Sequence, residues 1–223
     1  MTKAIPEPIP YYLMKKIRQG VITGRYPPGS ALREQQLEAE YGTSRGPLRE
    51  ALRLLQLRGL VTHEPRRGFR VREYSAQLIE QIYRLRAVLE RHAVEALAGK
   101  PLDGLIAELV RINQAMSGHF QSRSIEAYLE SNIAFHDAIM ATANNEPLQK
   151  VIEPLNEMAQ PVRFLLLTKR FENSTALDEH AKLIELLSQG DLKAAAVFIE
   201  NHVIRNIDSA AQLYPCAPSA ASA

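Results

Sequence analysis

Four polar side chains in the second half of the chain have types and spacing suited to metal chemistry. Asn132 and His136 are four residues apart, so on a helix both leave one face. His180 and His202 follow, twenty-two residues apart. Neutral imidazoles are common ligands for borderline divalent ions such as Zn²⁺ or Ni²⁺, and helix bundles build such sites from inward side chains on facing helices. Three unlinked histidines fit core or surface positions equally well, and spacing alone leaves both readings open. A metal with open positions could also activate water, which would make the chain a metal-dependent hydrolase. Glu130 and Glu179 are the carboxylates nearest in sequence. Each adjoins a candidate ligand position and is expected to point away, so no general base is in view and no enzyme is expected.

A second group of side chains suits nucleic acid. Leu48, Leu52 and Leu55 recur at i, i+4 and i+7, while Arg45, Arg49 and Arg53 recur at i, i+4 and i+8 on another side. A helix of that kind is anchored by its apolar stripe and offers guanidiniums to the major groove. There an arginine binds guanine bidentately or holds a phosphate. Arg66, Arg67 and Gly68 lie between two strand-like runs. At such a tip, glycine lets backbone approach the sugar-phosphate surface, and arginines supply counter-charge. Residues 1–72 hold fourteen Lys/Arg against six Glu and carry +8, whereas residues 73–223 carry −6. The net +2 of the 223-residue chain conceals a basic module joined to an acidic one.

The elements that must position these groups are mostly helices. Residues 1–10 hold three prolines and read as a flexible arm. Helices are expected over Tyr11–Thr23, 33–41 and 45–58, with Gly24, Gly42 and Gly59 as stops and Ser44 as an N-cap. Strands are expected at Leu60–His63 and Phe69–Arg72. Beyond Arg72 the period is helical throughout, giving about six helices of roughly 16–28 residues. Pro154 and Pro161 are expected to kink or split the fourth of these. The fold class expected is mainly α: a winged helix-turn-helix domain over 11–74 and an all-α antiparallel bundle over 75–214. A disordered tail is expected over 215–223.

Composition agrees with a globular chain, at 46% hydrophobic and 23% charged. No apolar run approaches the roughly 18 residues of a membrane span, and MTKAIPEPIP lacks a secretory core, so a cytoplasmic location is expected. The single cysteine, Cys216, excludes an intrachain disulfide and a cysteine-rich zinc site.

The string PPGSALREQQLEAEYGTSRGPLREALRLLQLRGLV, followed by PRRGFRV, closely resembles the DNA-binding domain of the GntR family of transcription regulators over about residues 11–72. The resemblance implies DNA contacts at Ser44, Arg45, Gly46 and Arg49, with Arg67 and Gly68 in the wing. Gln35 stands where FadR-type members often place an arginine, and Gly46 where a hydroxyl residue is common. Further on, IYRLRAVLERHAVEALAG, NIAFHDAIMATANNEPL, DEHAKLIELLSQGD and AAAVFIENHV resemble the FCD (FadR C-terminal) effector domain over roughly residues 78–208. That resemblance implies a divalent ion on Asn132, His136, His180 and His202, and a small carboxylate effector beside it. His63, His92 and His119 match nothing in this pattern. Arg86 and Arg163 are candidates to clamp the acid. Many members carry a carboxylate where Asn132 stands, and a neutral amide would leave the ion its full charge, with weaker retention and a stronger pull on an anion. The implied function is a metabolite-responsive regulator, most often a repressor. It would act as a homodimer on a near-palindromic operator in double-stranded DNA. The alternative is a regulator for which the metal itself is the signal.

Overall fold

The structure is a computed structural model and describes residues 7–171 and 175–214. The expected tail and Cys216 lie outside the described residues, as do positions 1–6 of the expected arm. The chain divides into two units, the first ending at Tyr74 and the second running from Ser75 to Tyr214.

In the first unit, α1 spans Ile9–Ile22. It begins inside the stretch expected to be an arm, because Pro8 and Pro10 fall at its N-cap and first turn, where no intrahelical N–H is needed. Helices α2 (Glu34–Tyr41) and α3 (Arg45–Leu57) follow. They are separated by Gly42, whose φ of 60° is the left-handed C-terminal stop that glycine adopts freely. Leu48, Ala51, Leu52 and Leu55 of α3 are fully buried against Leu13 and Ile17 of α1 and against Val61 and Phe69. Strands β2 (Val61–Glu64) and β3 (Gly68–Val71) pair antiparallel, from Val61↔Val71 to Glu64↔Gly68. A two-residue strand, β1 (Ala31–Leu32), adds to the other side of β3, giving the order β1-β3-β2. It was not expected, since two residues carry no readable alternation.

The second unit is helical among its described residues: α4 (Ala76–Glu95), α5 (Asp103–Gln121), α6 (Ile125–Ala143), α7 (Glu146–Arg170), α8 (Ala176–Ser188), α9 (Leu192–Ile204) and α10 (Ile207–Leu213). There are seven helices where about six were expected, because the last expected helix breaks at Arg205-Asn206, a turn that no glycine or proline announces. The fourth expected helix is not split. Pro154 and Pro161 lie inside a continuous α7. Each proline removes one backbone bond, and buried Ile152, Ala159 and Val162 hold the helix around them. The main core joins Val94 and Leu97 to Leu109 of α5, Phe135 of α6, Leu183 of α8 and Ile199 of α9.

Candidate functional site

The first unit presents its polar face through α3 and the β2–β3 turn. Ser44 occupies the N-cap of α3 in extended backbone, but its hydroxyl makes no capping bond and stays exposed. Gly46 is exposed with nothing within 4 Å of where a Cβ would lie, so a partner's backbone can come close. Arg45 and Arg49 both reach Glu34 at the start of α2: Arg45 Nε donates to Glu34 Oε2 at 2.7 Å, and Arg49 Nη1 is 3.4 Å from Glu34 Oε1. Gln35, beside it, is exposed. In the turn, Arg66 takes a φ of 67° and Gly68 one of 81°, which leaves Arg66 and Arg67 exposed.

The second unit gathers the three histidines. His136 on α6, His180 on α8 and His202 on α9 each offer a ring nitrogen, and these atoms lie within 4.8 Å of one another. The His180 ring stacks on Phe135 with centroids 3.8 Å apart and planes 4° apart. Two of the rings are backed by carboxylates. His136 Nδ1 is 2.6 Å from Glu90 Oε2, and His202 Nδ1 is 2.5 Å from Glu179 Oε2. The carboxylate hydrogen-bonded to His202 Nδ1 fixes that ring's orientation and leaves its Nε2 for a ligand, whereas the His136–Glu90 contact is close but not aligned as a hydrogen bond. His180 Nδ1 is buried with no hydrogen-bond partner among the described residues. Asn132 Nδ2 is 3.5 Å from His180 Nε2, while Asn132 Oδ1 accepts from Arg163. To ligate through oxygen, Asn132 would use the lone pair of Oδ1 that Arg163 does not occupy.

Burial pushes His136 down to about 4 and His180 well below its usual value. Both are therefore neutral near pH 7, the form that binds metal. Burial alone would raise Glu90, but His136 and Arg86 outweigh it and hold the carboxyl at about 2. With His136 neutral, the permanently charged Arg86 is the partner that keeps Glu90 ionised; its Nη2 donates to Glu90 Oε1 at 2.7 Å. Arg163, pushed down to about 10 by burial and by Arg86, is still a cation. Three buried imidazoles with carboxylates beside two of them fit a borderline divalent ion.

A cavity of about 370 Å³ opens beside this cluster, with His136, His202, Asn132, Arg86, Arg163 and Tyr83 in its wall. The Tyr83 hydroxyl is buried and has no hydrogen-bond partner among the described residues.

Sequence comparison assigns both units. Residues 13–71 match the family described as bacterial regulatory proteins, gntR family, and residues 81–205 match the FCD domain. The chain belongs to the GntR family of bacterial regulators. It is a DNA-binding transcriptional regulator, and the family is one of regulators, not enzymes. An uncharacterised HTH-type transcriptional regulator of Bacillus subtilis, YdhC, is 28% identical over 204 residues, covering 89% of this chain and 90% of its own. The gluconate operon transcriptional repressor of Bacillus licheniformis is 25% identical, covering 76% of this chain and 69% of its own. The solved E. coli protein McbR/YncC shares the fold, with a TM-score of 0.79 at 22% identity over 92% of this chain and 98% of that one. No helix among the described residues is long and apolar enough to cross a membrane.

In this GntR regulator the structure brings Asn132, His136, His180 and His202 together and puts Arg86 and Arg163 on the same cavity. Arg86 has two nitrogens committed, Nη2 to Glu90 and Nε to Asn156 Oδ1 at 2.7 Å. The expectation that Glu179 points away needs correction. It meets His202 on α9 and stands in the cavity wall, while also accepting from Arg205 and from Thr175. Glu90 was missed altogether. Its spacing of four from Arg86 suggests a helix pair, but nothing local says that the pair is buried.

Acid should destabilise the metal-free second unit before any metal is considered. His136 has a folded value below its unfolded value of about 6.5. The unfolded chain therefore takes up the proton first, and stability present above pH 6.5 is lost as pH falls towards 4. The loss expected from His136 is on the order of 3 kcal/mol. Glu90 acts in the same direction at lower pH. Urea unfolding of chelator-treated protein between pH 7 and pH 4.5 measures this; a flat profile would contradict it.

Proposed function

We propose that the chain is a repressor whose operator affinity is set by a small carboxylate bound at a metal site in the FCD domain. The observation that carries this reading is the convergence of three buried histidine ligands within 4.8 Å of one another beside a cavity of about 370 Å³. His136, His180 and His202 would hold the ion, with Asn132 as a fourth donor through the oxygen that also accepts from Arg163. A Zn²⁺ or Ni²⁺ ion there supplies fixed positive charge and open positions for an acid. Arg163 would orient the carboxylate through its fork, and the unpartnered Tyr83 hydroxyl would donate to a ligand oxygen. This local positive charge offsets the acidic balance of residues 73–223. Repression is supported by the relative named as a gluconate operon repressor. Two copies would pair through their helical units and present two winged helices to a near-palindromic site. Leu85 and Val88, exposed on one face of α4, offer apolar surface for that pairing.

The test pairs two titrations. Metal-loaded protein is titrated calorimetrically with a panel of small organic acids. The same acids are then added to gel shifts on a duplex selected by the chain from a random-sequence pool. At least one acid should bind and change duplex affinity by about 5–150-fold, the range of ordinary allosteric coupling, and chelation should abolish the effect. If no acid that binds also alters duplex affinity, the sensing mechanism is wrong. A change in duplex affinity on chelation with no acid present would make the ion itself the signal.

A further inference from the structure

We infer that Glu34 is the positioning residue for the DNA-reading arginines, and that it sets sequence preference without itself contacting a base. Two guanidiniums one turn apart on α3 converge on one carboxylate. Arg45 Nε takes Oε2 at 2.7 Å and Arg49 Nη1 lies 3.4 Å from Oε1. Glu34 is the first residue of α2, at the positive end of that helix, and its side chain is only 18% exposed, against 68% for Arg45. It is thus held in place while the arginines lean outward.

The choice of nitrogens matters. Arg45 is engaged through Nε, which leaves both terminal amino groups to form the fork that reads guanine N7 and O6. Arg49 is engaged through one terminal nitrogen and keeps the rest. Two long side chains that would otherwise be ordered only on binding are ordered beforehand, so less conformational freedom is lost at the operator. The same carboxylate stands beside the surface that meets phosphate and repels it. It therefore weakens attachment to DNA of any sequence, which depends on phosphate contacts. One residue raises specific binding and lowers non-specific binding.

The inference rests on α3 being the DNA-reading helix, and the experiment separates the two. Full-length Glu34→Gln is measured by fluorescence anisotropy against a duplex selected by the wild-type chain from a random-sequence pool, and against poly(dI–dC). Affinity for the selected duplex should fall about 5–100-fold. Affinity for poly(dI–dC) should hold or rise, with a steeper salt dependence as a freed arginine finds a phosphate. In an Arg45→Ala/Arg49→Ala background, where neither guanidinium is left to position, Glu34→Gln should have little further effect on the selected duplex. Equal losses on both DNAs, accompanied by a lower Tm, would make Glu34 merely structural and overturn the inference. Equal gains on both would reduce it to a charge screen and overturn it too. If Arg45→Ala leaves sequence preference intact, the reading of α3 fails first.

Discussion

Replacing Arg45 and Arg49 together with alanine should weaken binding to a selected duplex by on the order of 10²- to 10⁴-fold. Each well-placed arginine contact to a base is worth about 1–3 kcal/mol, and the two sit one turn apart on the same exposed side of α3. The fold should be indifferent, because the α3 residues packed into the core are Leu48, Ala51, Leu52 and Leu55, not the arginines. Binding to unselected DNA should fall far less, with a salt dependence shallower by about one contact per arginine lost. Gel shifts at two salt concentrations, beside a thermal melt, distinguish these outcomes. An unchanged affinity for the selected duplex would remove α3 from the interface.

His180→Phe should separate metal binding from folding in the second unit. Phenylalanine keeps a flat ring on Phe135 and deletes both ring nitrogens, one of which is buried without a partner. Metal affinity should fall by more than the ~10–100-fold that follows loss of a supporting contact. The stability of chelated protein should change by less than about 1 kcal/mol, as relief of an unsatisfied nitrogen offsets a slightly larger ring. His136→Phe should behave differently, because it strips Glu90 of its imidazole and leaves a buried carboxylate leaning on Arg86 alone. Competition with a coloured chelator and thermal unfolding of the metal-free forms measure both terms. Full metal retention in His180→Phe would exclude that imidazole as a ligand.

Much of this was legible in the chain because the signals were local. The 3.6-residue period marks α3, Gly42 marks the end of α2, and the four-residue spacing of Asn132 and His136 puts both on one face of α6. What was not legible depends on how helices are turned towards one another. Glu90 and Glu179 become partners of histidines 46 and 23 residues away only once α4 packs on α6 and α8 on α9. Glu179 shows the limit well: adjacency to His180 along one helix suggested that it points away, but could not show that the imidazole of another helix stands against it. The same holds for Glu34, which is eleven residues from Arg45 and reaches it across the turn between α2 and α3. β1 went unseen because its two residues acquire strand geometry from β3 and from nothing in themselves.

The hydrophobic clusters have one more consequence. The cluster running from Leu13 to Val71 and the one running from Ala93 to Ile199 are each drawn from a single unit. A substitution that reshapes the cavity wall is therefore felt first by the cluster of its own unit. Over generations, separate clusters would let the half that carries the candidate site change its cavity while the other half keeps its dialect. If the proposed acid site is correct, two daughters of a gene duplication would come to answer different acids through changes confined to one cluster of the ancestral pair.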